Sequence, residues 1–345
     1  MVDALKLEMG QRSAELPEPL DSVYLGGGTP SLLDEKQLEE IMQTVVSQFI
    51  VKKDAEITLE ANPEDINPYQ LEAFKKNHIN RLSIGIQSFF DKELEYLNRV
   101  HSAKTAINAV EIARENGFSN ISIDLIYGLP NATTESWKKN LEQALKLNVP
   151  HLSCYALTIE PNTALARFIE KGRMKNVSDE LFEQQFELLI EKTKELGYKQ
   201  YEISNFCLDS YYAIHNTNYW FGEKYLGIGP SAHSYDGKTR QWNVAHLKNY
   251  IDSVNSGKVM AEYESLSTIS KYNEYVMTRL RTFWGVSISE IQNMFGENIK
   301  NHFLFSISKY IDSDHLKKIG DTILLTKQGK FVSDGIIADL FYDED

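Results

Sequence analysis

Val23-Tyr24-Leu25-Gly26-Gly27-Gly28-Thr29-Pro30 is an apolar run that ends in three glycines, a hydroxyl and a proline. Glycines at the end of a strand let the backbone approach a ligand with no Cβ in the way, at φ values other residues resist. Pro30 stops the strand, and a helical pattern follows from Asp34, where Asp34 and Gln37 read as a capping box. The glycines therefore sit at a strand-to-helix turn, whose backbone donors suit a carboxylate or phosphate. A plain tight turn is the competing reading of a lone triplet, and the order of the neighbouring elements decides between them.

Further short apolar runs follow at Ile57–Leu59, Leu82–Ile86, Ile121–Ile126 and Leu152–Leu157. Helical patterns lie between them: Leu38, Ile41, Met42, Val45, Val46 and Phe49 repeat on one face, Asn67-Pro68 opens the next helix, Gly117 closes the third, and Trp137, Leu141 and Leu145 mark the fourth. Alternating strands and helices at this spacing predict a parallel sheet, open or closed into a barrel, with ligands at the carboxyl ends of its strands. Polar residues cluster at those ends. Gly26–Thr29 follow the first run, Glu60 and Asn62-Pro63 the second, Gln87-Ser88 the third, and Asp124 lies within the fourth, ahead of Gly128-Leu129-Pro130.

At 345 residues the chain has room for about two domains. Its charge, 36 − 49 = −13, opposes broad nucleic-acid binding. Cys154 and Cys207 are far apart and form no CxxC pair, so they read as buried small hydrophobes in a reducing compartment. No leader-like segment and no bilayer-length apolar run is visible, which predicts a cytoplasmic protein with no membrane span. Met1 leads at once into Val2, Leu5, Leu7 and Met9, so the sequence begins inside a helix.

Downstream, Leu181–Leu196 reads as a helix and Tyr201–Asn205 as a strand, while His215–Tyr235 is rich in aromatics without clear periodicity. Toward the end, Tyr272–Leu280 reads as a helix and Ser287 with Glu290 as the capping box of another. Ile323–Leu325 and Phe331–Val332 flank Lys327-Gln328-Gly329 as a hairpin, and Ile336–Phe341 is a closing helix. This pattern is winged-helix-like.

Together the motifs resemble the radical SAM superfamily, and within it the HemW heme chaperones and their relatives, the oxygen-independent coproporphyrinogen III oxidases (HemN). The carrying residues are Gly26–Pro30, Glu60–Pro63, Gly85–Phe89, Leu97–His101 and Asp124–Pro130, with Tyr201–Phe206 and His215-Asn216-Thr217-Asn218-Tyr219-Trp220 pointing to the chaperones. The resemblance implies an α/β fold, a partial (β/α)6 barrel over residues 1–210. A connecting segment, 211–262, and a small C-terminal winged-helix-like α+β module, 263–345, would follow. It implies that Gly27, Gly28, Thr29 and Glu60 hold S-adenosylmethionine, with Gln87, Arg99 and Asp124 contacting it further. An Arg can grip a carboxylate and an Asp suits ribose hydroxyls. It also implies heme binding by His215, Tyr219 and Trp220, with His215 as a possible iron ligand and His233 as a weaker one.

One departure matters. The family holds a [4Fe-4S] cluster on CxxxCxxC, and this sequence has no such motif. The expectation is a barrel that lacks its first strand and cluster loop, and a polypeptide inert as a radical enzyme. No catalytic residue is assigned. The leading reading is a heme-binding protein that passes heme to an unknown acceptor. Its rivals are a coproporphyrinogen oxidase and a nucleic-acid binder using Lys317, Lys318, Lys327 and Lys330 of the C-terminal module.

Overall fold

The structure is a computed structural model that describes residues 1–130, 132–158, 167, 170–171 and 178–343. Two compact units are formed, one from Met1–Val23, Lys36–Ala55 and Ala213–Asp345, the other from Tyr24–Glu35 and Glu56–Tyr212.

The main sheet has seven strands: β1 (Leu20–Leu25), β2 (Val51–Ala61), β3 (Arg81–Gln87), β4 (Asn120–Tyr127), β5 (His151–Ala156), β6 (Lys199–Gln200) and β7 (Asn205–Cys207), in the order β1-β2-β3-β4-β5-β7-β6. Strands β2 to β5 pair in parallel, and β7 returns antiparallel to β5. Each predicted apolar run falls in one of the first five strands, except that Leu157 lies just past the end of β5, and the predicted helices connect them. Asn67 caps its helix, Pro68–Lys76, by accepting from Gln70 N at 3.1 Å. Gly117, at φ +88°, follows the helix Ala103–Glu115, which buries Ala106, Ala109, Val110 and Ala113.

The runs are less uniformly apolar than a summary of them suggests. Along β2 to β5, Ile57, Leu59 and Ala61, Leu82, Ile84 and Ile86, Ile121, Ile123 and Leu125, and Leu152 and Cys154 all point one way and are buried. Glu56, Thr58 and Glu60, Arg81 and Ser83, Ser122 and Asp124, and His151 and Ser153 occupy the alternate positions, and register puts them side by side on the other face. A sheet with one apolar and one polar face, the latter largely buried, is built to enclose something polar.

The expected strand Tyr201–Asn205 is interrupted. Lys199–Gln200 and Asn205–Cys207 are the strands, and Tyr201 between them turns inward, fully buried, to meet His151.

In the other unit, β8 (His233–Tyr235), β9 (Thr239–Asn243) and β10 (Ala261–Ser265) form an antiparallel sheet. The aromatic stretch resolves into a helix, Ile214–Phe221, closed by Gly222 at φ +69°. It shows no periodicity because none of its residues is fully buried. The helix Val2–Arg12 brings Glu8 into a buried hub, where its carboxylate accepts from Arg12 Nη1 (3.0 Å), Asn243 Nδ2 (2.7 Å), Gly229 N (2.8 Å) and Tyr250 Oη (2.6 Å).

The C-terminal part has helices Thr268–Leu280, Ile288–Phe295 and Glu297–Asp312 around a three-stranded sheet of β11 (Val286–Ser287), β12 (Leu316–Ile319) and β13 (Thr322–Leu325). Ser287 caps the second helix through Glu290 N at 3.1 Å, while the Glu290 carboxylate accepts from Tyr275 and Arg279. The predicted hairpin is displaced. It joins β12 to β13 through Gly320 (φ +60°) and Asp321, and Lys327–Phe331 is a short helix capped by Thr326. Gly329 is there for close approach, not for a turn: a Cβ on it would lie 2.0 Å from the His315 carbonyl oxygen. Lys330 is half-buried, and burial and the neighbouring Lys317 lower its pKa to about 8.

Candidate functional site

At the end of β1, Gly27 and Gly28 have φ of +72° and +79°, the left-handed region, and a Cβ on either would meet nothing within 4 Å. Gly26 serves differently. A Cβ there would lie 2.5 Å from the Tyr24 ring and 3.0 Å from Glu60 Oε1. That closeness lets Tyr24 Oη donate to Glu60 Oε1 at 2.7 Å while Gly27 N donates to Glu60 Oε2 at 3.2 Å. Burial, then the Glu60 charge, pushes the Tyr24 pKa far up, so its hydroxyl stays a donor. Thr29 is the cap position of the short 3-10 turn Pro30–Leu32.

Asp124 on β4 accepts from Ser83 Oγ at 3.2 and 3.3 Å. Burial raises its pKa to about 6, and Glu60 adds to the rise, while the Ser153 hydroxyl, the Arg81 charge and the Ser83 hydroxyl oppose it. Arg81 is buried with Glu56 Oε2 at 3.8 Å from its Nε. His151 is held between Ser122 Oγ (2.7 Å) and Tyr201 Oη (2.8 Å), and burial lowers its pKa well below the usual histidine value, which keeps it neutral. Arg81, Ser83, Ser153 and His151 were not singled out from sequence, and Tyr24 and Tyr201 were quoted only as parts of motifs, not as site residues. The strict two-residue alternation of Ile121-Ser122-Ile123-Asp124 is the signal that finds this face.

Gln87 ends β3 at φ +68°, where the register with β4 shifts. Arg99 Nη1 donates to Asn62 Oδ1 at 3.2 Å, which ties the segment after β3 to that after β2. His101, from the same motif, is buried with Nε2 3.0 Å from the Ile86 carbonyl and Nδ1 3.2 Å from Glu64 Oε2. Gly27 and Glu60 are in direct contact. Gly28, Thr29, Gln87, Arg99 and Asp124 lie on the adjoining strands and the segments that follow them, each with its own protein partners or turn.

In the other unit, His215 Nδ1 lies 3.0 Å from Ser22 Oγ, and the His215 ring meets Tyr219 edge-on with centroids 5.1 Å apart. Tyr219, one turn on, is exposed and packs on Tyr225 at 4.6 Å. Trp220 is half-buried, with its Nε1 buried and without a hydrogen-bond partner. His233 stacks on Trp242 at 5.9 Å.

The two cysteines do not fit a cluster. Cys154 lies on the apolar face of β5, whereas Cys207, opposite His151 in register, belongs to the polar face, so the thiols lie on opposite sides of the sheet. Both are buried, and burial drives their pKa values up, that of Cys207 to about 12. Among the described residues no group of three or more His, Cys, Asp or Glu could hold a metal ion. Among those residues, too, no helix is long and apolar enough to cross a membrane.

Residues 5–144 match the radical SAM superfamily model and residues 266–332 the HemN C-terminal domain model. Coproporphyrinogen III oxidase (HemN) from Escherichia coli superposes with a TM-score of 0.85, covering 98% of this chain and 82% of its own, at 24% identity. That match defines the fold as the HemN type of radical SAM scaffold. Heme chaperone HemW of Bacillus subtilis is 34% identical over 338 residues, 97% of this chain and 89% of that protein. HemW of Mycobacterium tuberculosis H37Rv is 32% identical over 339 residues, 98% and 85% of the two chains. HemW of Haemophilus influenzae is 33% identical over 337 residues, 94% and 84%. The chain belongs to the HemW family.

Proposed function

We propose that this chain binds heme and passes it to an acceptor protein, with S-adenosylmethionine held at the strand-end face. The observation that carries the first part is the 34% identity over 97% of this chain to a protein named a heme chaperone; the partly exposed helix bearing His215 is the candidate seat. An imidazole is a common protein ligand to heme iron, and Tyr219 and Trp220 offer flat apolar contacts to a macrocycle. Heme is the cargo here, so a partly exposed helix suits the task better than a sealed pocket.

The strand-end face fits the cofactor. Open space beside Gly27 and Gly28 leaves room for the amino-acid end of S-adenosylmethionine, and Glu60 is the carboxylate for its ammonium group. Arg99 is the partner for its carboxylate. Asp124, ionised above about pH 6, accepts from ribose hydroxyls, and Gln87 supplies a further polar contact. Bound there, the cofactor would present the sulfonium that radical SAM chemistry reduces. Cys154 and Cys207 do not fit a cluster, and no redox step is assigned to this polypeptide.

Two measurements test the reading. Titration of the purified chain with hemin should give a saturable Soret shift at one heme per chain, and the loaded chain should transfer heme to an apo-hemoprotein such as apomyoglobin. Absence of saturation would remove the heme reading. Calorimetric titration with S-adenosylmethionine should show binding that Glu60→Gln weakens at least ten-fold, and equal affinity of the two proteins would remove Glu60 from the site.

A further inference from the structure

The unit that carries the helix Ile214–Phe221 also contains a cavity of about 310 Å³, lined by none of the candidate site residues, whose Tyr225 wall packs on Tyr219. Tyr225, Tyr235 and Tyr263 form aromatic walls, and the charged residues lining it, Glu15 and Asp236, are both acids. Asp236 accepts from the backbone N–H groups of Lys238 (2.7 Å) and Thr239 (2.6 Å), which hold its pKa low and keep it ionised. Glu15 accepts from Arg12 Nε (2.9 Å) and Nη2 (2.8 Å). Arg12 is shared with the buried Glu8 at 3.0 Å, so one guanidinium answers two carboxylates and the back of the cavity stays negative.

The neighbouring cations do not reverse that sign. Lys224 is paired with Glu18 at 2.6 Å, and Arg240 is paired twice with Glu274, at 2.8 and 3.0 Å. Lys238 opposes Asp236 only weakly. The Tyr235 ring already carries a guanidinium, that of Arg240, 5.9 Å from its centroid, and the same guanidinium interacts with Tyr225, which leaves Tyr263 as the open aromatic wall. Tyrosine faces attract cations through the ring quadrupole, arginine more often than lysine.

We infer that this cavity receives an arginine side chain of a partner protein, its guanidinium laid against the exposed Tyr263 ring with Asp236 as the counter-charge. The inference does not depend on heme. A tetrapyrrole would bring its own carboxylates against Glu15 and Asp236, so the cavity is not a second heme site. The chain's net charge of −13 would also speed encounter with a basic partner.

The test uses the full chain labelled with 3-fluorotyrosine, followed by fluorine NMR. Nα-acetyl-arginine amide and an arginine-centred, glycine-flanked pentapeptide are the probes, and the citrulline amide is the neutral isostere. The Tyr263 signal, assigned by its loss in Tyr263→Leu, should shift saturably with both arginine probes and not with citrulline. Asp236→Asn keeps the acceptor for both backbone bonds and removes the charge, and Tyr263 is exposed, so both variants should fold. Each should weaken binding about two- to five-fold; for Tyr263→Leu this is read on another shifted tyrosine. No saturable shift, an equal response to citrulline, or unchanged affinity in Asp236→Asn would overturn the inference. Binding of the amide without the pentapeptide would also overturn it, since the cavity would then take only a free small molecule.

Discussion

Asp124 is the residue whose environment says most about the strand-end face. Its pKa rises to about 6 mainly because burial disfavours the charged form. An aspartate in the unfolded chain titrates near about 3.9, so between these values the folded state holds the extra proton. The stability this contributes is fully present below pH 4 and is lost as pH rises through about 6. Urea unfolding should therefore show wild-type stability falling between pH 4 and 6 relative to Asp124→Asn. Parallel profiles for the two proteins would show that Asp124 is not perturbed. The position was legible in sequence as an acid inside an apolar run. Ser83, Ser153 and Arg81 were not, because they come from other strands and only register brings them to it.

At the scale of elements, the turn after β1 shows that adjacent glycines can be required for different reasons. Gly26→Ala should act by steric conflict, because its Cβ would push Tyr24 off Glu60. Gly27→Ala meets nothing and should cost only the left-handed backbone conformation, about 1–2 kcal/mol. Chemical denaturation should rank Gly26→Ala as the more destabilising. Tyrosine NMR should show a displaced Tyr24 only in that variant, and the reverse ranking would mean the Tyr24–Glu60 contact does not define the turn. The helix Ile214–Phe221 ends on Gly222 at φ +69° with open space around it, so Gly222→Ala should cost about 1 kcal/mol. Faster amide exchange confined to that helix would show it; uniform exchange rates would contradict it. This helix escaped periodicity analysis because a helix with no fully buried face has no stripe to detect. The C-terminal hairpin is shifted for a different reason: Gly329 reads as a turn glycine but is a packing glycine, and the His315 carbonyl that demands it is brought against it by the β12–β13 hairpin.

Across the molecule, the fold was largely readable because the βα alternation is local, and the family followed from several motifs in order. The polar face of the sheet shows in sequence only as the two-residue alternation within each strand, and the Glu8 hub does not show at all, since it is made by residues distant in sequence. Removing Glu8 would leave the buried Arg12 with Glu15 as its carboxylate, beside the Gly227 carbonyl and the Ser234 hydroxyl, and Glu8→Ala should destabilise by about 3–5 kcal/mol. A loss below about 1 kcal/mol would mean the hub does not hold its unit together. The hub's neighbourhood also affects the choice of controls for heme binding. His246 caps the helix Leu247–Asn255 by accepting from Asn249 N at 3.4 Å, so replacing it is not silent. His78 is exposed and sits at φ +63°, a conformation that asparagine tolerates, which makes His78→Asn the better control. The proposed seat of heme is the helix Ile214–Phe221, with His215 in its first turn. The most direct measurement is a hemin titration of wild type, His215→Ala, His233→Ala and His78→Asn, read at the Soret band with circular dichroism as the fold check. One heme per chain is expected in wild type and His78→Asn, and at least ten-fold weaker binding with an altered band in His215→Ala. Binding by His215→Ala equal to wild type, with the fold intact, would contradict it.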